Sequence, residues 1–270
     1  MTRFRSVFPG VRTPLIAMAH VPALPGTPLY DARAGLRGVV DALRADVEVL
    51  VEAGFDAVLF CNENDRPYEL DPGPESAALM ARVVTECRPE SIPFGVDFLW
   101  DARTALAAAV ATEAAFMREV VTGVWESDMG LWTTDAAQTL RERRRLGADE
   151  LAVLMNVTPE FASPIGRRGP AEVAASVAVS SLPDAILVSG PRAGAAPDTR
   201  VLREVRDAVP TEVPVLLNTG ARAESIAEML EIVDGCIVGS SLKVDRHTWN
   251  RVDPRRAAEF VAAVRERRAA

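Results

Sequence analysis

Val213-Pro-Val-Leu-Leu-Asn218-Thr219-Gly220, followed about twenty residues later by Asp234-Gly-Cys-Ile-Val-Gly239-Ser240-Ser241-Leu242-Lys243, decides the fold. Each half is a short apolar run of buried-strand type that stops at small hydrogen-bonding residues, with a helical segment beyond the turn. Two such strand ends side by side make a cup of backbone N–H groups and hydroxyls, the chemistry that holds a phosphate away from water. In a (β/α)8 barrel that site is commonly built from the loops after strands seven and eight.

Outward from this stretch, strand-like runs at 14–20, 57–61, 93–98, 115–121, 151–157, 185–189, 213–218 and 236–239 make eight. Helical patterns separate and follow them at 36–51, 75–86, 102–112, 136–146, 171–181, 199–208, 223–232 and 254–267. Strand and helix in strict alternation is the sequence form of repeated βα units around a parallel sheet. The quoted runs are therefore strands seven and eight of an α/β chain, a single (β/α)8 TIM barrel domain over 1–270. An open doubly wound sheet would want a Gly-x-Gly-x-x-Gly turn after an early strand, and the sequence has none.

Composition agrees with one large core: 270 residues, 49% of them hydrophobic. A net charge of −8 argues against a nucleic-acid polymer or an anionic membrane surface as partner, since both would repel it. Any phosphate bound should be small and held locally. The three cysteines, Cys61, Cys87 and Cys236, are far apart without CxxC pairing, which fits a reduced, cytoplasmic compartment. Arg3, Arg5 and Arg12 ahead of Leu15–Ala19 imitate a signal peptide, but the apolar run is short and interrupted by Pro14, His20 and Pro22, so it reads as a first strand. No run approaches a membrane span. A homo-oligomer is compatible with all of this.

Polar residues at the C-terminal strand ends face the mouth of such a barrel. This filter selects His20, Asn62 with Glu63, Asp97, Glu119, Asn156, Ser189 and Asn218. His20 suits proton transfer or hydrogen bonding to a phosphate or sugar hydroxyl; equally, it reads as a structural imidazole bonded to a backbone carbonyl. Asp97 and Glu119 each lie in an apolar strand, where a carboxylate needs a cation, a donor or a catalytic task. From neighbouring strands they could form a general acid/base pair with separated pKa values. Alternatively Arg118 neutralises one of them, and Asp101 caps a helix. Asn62-Glu63-Asn64-Asp65-Arg66 reads as a gripping loop or a plain turn. Trp100, Trp125 and Trp132 would stack on a ligand or, more ordinarily, pack. No Gly-x-Ser-x-Gly elbow and no HxxxH or paired cysteines are present, so neither a serine nucleophile nor a zinc site is expected; no metal and no cofactor are assigned.

The chain resembles the BtpA family, named for a photosystem I biogenesis protein. The likeness rests on Ala17-Met-Ala-His20-Val-Pro-Ala-Leu-Pro-Gly26-Thr-Pro, 51–57, Gly95-Val-Asp97, Ala162-Ser-Pro164, Gly190 with Gly194 and Asp198, and Ile237-Val-Gly239-Ser240-Ser241-Leu242-Lys243 through Asn250 to Pro254. It spans nearly the whole chain and implies a phosphate-binding barrel acting on phosphorylated sugars or nucleoside derivatives. This sequence departs from the family's pattern after the fifth strand, where an Asp-x-His-x-Lys-His run becomes Asn156-Val-Thr158-Pro-Glu160-Phe161. Asp97, Cys61-Asn62 and Arg118-Glu119 depart likewise in strands three, two and four.

The expectation is thus an enzyme acting on a small phosphorylated sugar or nucleotide-like substrate, by isomerase, lyase or glycosidic-bond chemistry. Asn218, Thr219, Gly220, Gly239, Ser240, Ser241 and Lys243 would hold the phosphate, helped by Asn62, Ser189 and Gly190. Asp97, Glu119, His20 and Asn156 would carry the chemistry. The competing expectation is a non-catalytic binding or assembly factor that keeps the barrel as a scaffold.

Overall fold

A computed structural model describes residues 2–192 and 194–268. In chain order its elements are α1 (Arg3–Val7), β1 (Leu15–His20), α2 (Gly35–Ala53), β2 (Ala57–Cys61), α3 (Pro74–Cys87), β3 (Phe94–Asp97), α4 (Ala102–Thr112), β4 (Phe116–Glu119), β5 (Val124–Ser127), β6 (Gly130–Thr133), α5 (Ala136–Arg145), β7 (Ala152–Asn156), β8 (Ala162–Pro164), α6 (Pro170–Ser180), β9 (Ala185–Val188), α7 (Thr199–Ala208), β10 (Val215–Leu217), α8 (Ile226–Met229), β11 (Cys236–Val238) and α9 (Pro254–Arg268). β1, β2, β3, β4, β7, β9, β10 and β11 close a parallel barrel in that order, with β11 returning to β1 through Leu15↔Cys236. Each of these eight falls within one of the expected strand runs.

Side-chain parity along the strands makes two apolar layers. Ile16, Met18, Leu59, Cys61, Phe116, Leu154, Leu187, Leu216 and Ile237 fill the barrel's interior cluster. Leu15, Ala17, Val58, Phe60, Val96, Met117, Val153, Val188 and Val238 pack outward against Val40, Leu43, Val84, Leu202, Val205 and Phe260 of the helices. The floor is closed by α1, whose Phe4 is fully buried and packs at 5.0 Å against the tilted Phe8 ring, which reaches the Phe116 ring at 6.1 Å. Arg3 ties this short helix to Asp184 ahead of β9.

Helix boundaries follow local chemistry. Asp101, Asp135 and Asp198 cap α4, α5 and α7 by accepting from backbone amides of the first turn. Gly54, at φ 88°, stops α2 in the left-handed conformation that its missing Cβ permits. The helix expected over 223–232 is reduced to Ile226–Met229, its flanks being turns. The long loop after β4 contains a hairpin that the apolar pattern did not announce: β5 pairs antiparallel with β6 and with β8, forming a three-stranded sheet beside the mouth.

Candidate functional site

At the C-terminal ends of the barrel strands lies a cleft bordered by His20, Glu63, Arg118, Glu160, Asn218, Thr219, Gly220, Gly239, Ser240 and Ser241. The last six come from the loops after β10 and β11. A 3-10 turn, 240–242, begins there: Leu242 N–H donates to the Gly239 carbonyl at 2.9 Å and Lys243 N–H to the Ser240 carbonyl at 3.2 Å. The amides of Ser240 and Ser241, at the start of the turn, have no carbonyl of the turn behind them. Ser241 Oγ donates to the Ala221 carbonyl at 2.8 Å, clamping the two loops together, and Ser240 Oγ pairs with Thr248 Oγ1 at 2.8 Å. Gly220, at φ 85°, passes so close to the next loop that a Cβ would sit 2.2 Å from the Ala196 backbone. Arg222 and Arg246 stand at the rim, the first donating to the Gly194 carbonyl at 3.2 Å, the second paired with Glu224.

The floor is built around Arg118. Its guanidinium donates to Asp97 of the neighbouring strand and, at 3.1 Å, to Asn218 Oδ1. Burial opposes its charge, but the Asp97 carboxylate outweighs this and holds the guanidinium above its ordinary range. Asn218 Nδ2 donates to Ser189 Oγ at 2.8 Å, Asn156 Nδ2 donates to the same oxygen at 3.1 Å, and Asn156 also reaches Glu160 at 3.4 Å. Thr219 Oγ1 donates to Glu160. One hydrogen-bonded chain thus runs from Asp97 through Arg118, Asn218, Ser189, Asn156 and Glu160 to Thr219.

His20 Nδ1 faces the Thr248 carbonyl at 2.9 Å, so Nδ1 carries the proton and Nε2 is the acceptor. A Cβ on Gly239 would lie 3.1 Å from Nε2, so this glycine lets the ring approach the cup. Burial, with Lys243 and Arg118 nearby, holds the His20 pKa well below its usual value, keeping the imidazole neutral. Glu63 is pushed up to about 7, by burial first and then by the Glu160 and Asp97 carboxyls, with Arg118 opposing. Trp100 and Leu99 give the cleft one apolar wall, and Trp100 packs on Trp132 at 5.1 Å.

Of the residues expected from sequence, His20, Asn218, Thr219, Gly220, Gly239, Ser240 and Ser241 converge on this cleft. Others support it from behind. Asn62 accepts from Leu99 N–H at 2.7 Å and donates back to the Leu99 carbonyl at 3.3 Å, and Asn156 accepts from Thr158 N–H at 3.1 Å. Ser189 and Gly190 border a separate hollow beneath the loop after β7.

Three residues are placed otherwise than expected. Asp97 is fully buried against Arg118 and does not border the cleft. Glu119 has the opposite strand parity and accepts from the backbone amides of Phe98 and Val120, so the two carboxylates do not form a pair facing a substrate. Lys243 is 1% exposed, does not border the cleft and donates to Asp46 of α2 at 3.0 Å. The cations at the cleft are Arg118, Arg222 and Arg246 instead. Sequence reasoning also passed over Glu160; its signal was a carboxylate four residues past Asn156, the last residue of β7, in a loop bound to reach the mouth. Among the described residues no three His, Cys, Asp or Glu side chains gather as metal ligands, and no helix is long and apolar enough to cross a membrane.

Chemically, the cleft offers an anion-binding end of amides, hydroxyls and guanidiniums, and a proton-transfer end of Glu63, Glu160 and neutral His20. By fold it is similar to tryptophan synthase of Mycobacterium tuberculosis, with TM-score 0.62 and 18% identity over 97% of this chain and 96% of that one. It is likewise similar to N-(5'-phosphoribosyl)anthranilate isomerase of Pyrococcus furiosus, with TM-score 0.55 and 15% identity over 94% and 99%. In sequence it is 40% identical to the sgc region protein SgcQ of Escherichia coli, over 94% of this chain and 95% of the other. The family model for BtpA matches residues 11–266, and the chain belongs to the BtpA family.

Proposed function

We propose that this protein is an enzyme acting on a small phosphorylated sugar or nucleotide-like compound, with the phosphate held by the loops after β10 and β11. The observation that carries the reading is the pair of loops clamped by Ser241 Oγ on the Ala221 carbonyl, in which Gly220 lies against the Ala196 backbone, Gly239 against the His20 ring, and Thr219, Ser240 and Ser241 line the same cleft as Arg222 and Arg246. A solved barrel of similar fold, the phosphoribosylanthranilate isomerase, handles by its name a phosphoribosyl compound, which is in keeping with a phosphorylated substrate. Proton transfer falls to Glu63, whose pKa of about 7 suits it to give and take a proton near neutral pH, with His20 Nε2 and Glu160 as the other groups in reach of the substrate body.

Thermal unfolding in the presence of inorganic phosphate and ribose 5-phosphate tests the anchor. A ligand at a hundred times its Kd stabilises by about 2.7 kcal/mol. The melting temperature of the intact protein should rise with ligand concentration, and the rise should shrink in Arg222→Ala with Arg246→Ala. No rise with either compound at millimolar concentration sinks the reading.

A further inference from the structure

The two ends of the cleft carry opposite chemistry, and this bears on the substrate body rather than on its phosphate. At the loops after β10 and β11 stand Arg222 and Arg246, with one exposed partner, Glu224. Across the cleft, from the loops after β2 and β7, stand the carboxyls of Glu63 and Glu160, both at most 9% exposed, with Glu160 reaching back to accept from the Thr219 hydroxyl at the edge of the cup. The single cation there, Arg118, has both terminal nitrogens engaged, one by Asp97 and the other by Asn218 Oδ1. His20, between the two ends, is neutral and presents an acceptor.

We infer that the cleft selects a phosphate monoester whose body is an uncharged polyol or sugar, and rejects one bearing a carboxylate at the end remote from the phosphate. Resting on the phosphate-anchor reading, this names the substrate class within it. Hydroxyls can donate to Glu63 and Glu160, which accept when ionised, while the apolar wall of Leu99 and Trp100 covers the C–H face of a sugar. A carboxylate would instead meet two buried carboxyls with no unengaged cation to offset it, and like charges held together out of water discriminate strongly.

The matched probes are glucitol 6-phosphate and gluconate 6-phosphate, open-chain six-carbon compounds that differ in having a hydroxymethyl or a carboxylate at the far end. Their affinities for the intact protein are measured by calorimetry at fixed ionic strength and pH 8, beside inorganic phosphate. Glucitol 6-phosphate should bind at least about tenfold more tightly than gluconate 6-phosphate, a difference of about 1.4 kcal/mol. The ratio should collapse toward one in Glu63→Gln with Glu160→Gln, and should fall part of the way in Glu63→Gln alone should the double variant fail to fold. Equal affinities in the unaltered protein, or a ratio that survives both variants, overturn this inference and leave the phosphate anchor standing. Failure of all three compounds to bind overturns the anchor and the inference with it.

Discussion

Arg118 of β4 and Asp97 of β3 form an ion pair inside the barrel, directly beneath the cleft and almost wholly out of water. The register places them together: Gly95 pairs with Phe116 and Val96 with Met117, so the next step sets Asp97 beside Arg118. Gly95 is itself required there, because a Cβ would lie 2.2 Å from the Phe116 ring. The pair sits at the head of the hydrogen-bonded chain that reaches Thr219, and so fixes Asn218 in the orientation the cup needs.

Breaking that pair should be costly to stability. Removing one partner of a buried ion pair leaves an uncompensated charge, typically at about 3–5 kcal/mol. Arg118→Met should lose about that much in chemical denaturation, as should Asp97→Ala. The double variant should lose less than the sum of the two, because each single change already removes the shared interaction. Additive losses would show that the contact is not an energetic pair.

The ion pair is one of the two alternatives that the sequence leaves open, and parity explains why the other, an Asp97–Glu119 acid/base pair, does not form. Asp97 and Glu119 both looked like carboxylates at strand ends. Phe116 and Arg118 point inward, however, while Met117 and Glu119 point outward, so counting from Phe116 as an interior residue would have sent Glu119 to the helix side. The eight strands were legible as short, mostly apolar runs, β3 and β4 being the ones that carry charge, at Asp97 and at Arg118 and Glu119. The cup was legible because its small residues follow those runs directly. The hairpin of β5 and β6 was not, since four-residue strands with one buried tryptophan each, Trp125 and Trp132, are too short to establish a period. Glu160, Arg222 and Arg246 lie in loops, where function depends on the path of the chain rather than on local pattern.

Glu63 makes stability depend on pH in a stated direction. A carboxyl whose folded pKa is about 7, against an ordinary 4.5, binds its proton more tightly in the folded chain. Its contribution is therefore full below about pH 4.5 and is lost as pH rises through about 7, by about 3 kcal/mol if the whole shift is realised. Glu63→Gln removes this one titration while leaving that of Asp65, which is raised to about 6 by burial, in place. The melting temperature of the unaltered protein minus that of Glu63→Gln should fall between pH 4.5 and 8. A difference that is flat over this range contradicts a raised Glu63.

The close approach at Gly220 predicts a steric effect separable from backbone strain. Gly220→Ala must place a Cβ 2.2 Å from the Ala196 backbone at φ 85°, whereas Gly10→Ala, at φ 78°, meets nothing within 4 Å. The Gly10 change should cost about 1–2 kcal/mol, the strain of a left-handed residue alone. The Gly220 change should cost distinctly more and weaken phosphate binding, because the 194–196 loop has to move. Equal costs, read from denaturation curves, would mean that the loop yields freely.

Lys243 separates support from binding. Its Nζ meets Asp46 Oδ2 at 3.0 Å, and Asp46 Oδ1 accepts from Val252 N–H at 2.9 Å, so one carboxylate of α2 fastens both sides of the segment that follows β11. Burial lowers the Lys243 pKa and Asp46 opposes that, as expected of a cation kept charged by a single partner. Lys243→Met preserves the length of the side chain but strands Asp46. The loss should be about 2–4 kcal/mol, toward the lower part of the buried-pair range because Asp46 keeps some contact with water. Affinity for inorganic phosphate at a temperature where the variant is folded should change by less than about twofold, while Arg222→Ala should weaken it severalfold. The opposite pattern, intact stability with lost phosphate affinity in Lys243→Met, would put this lysine back in the cup.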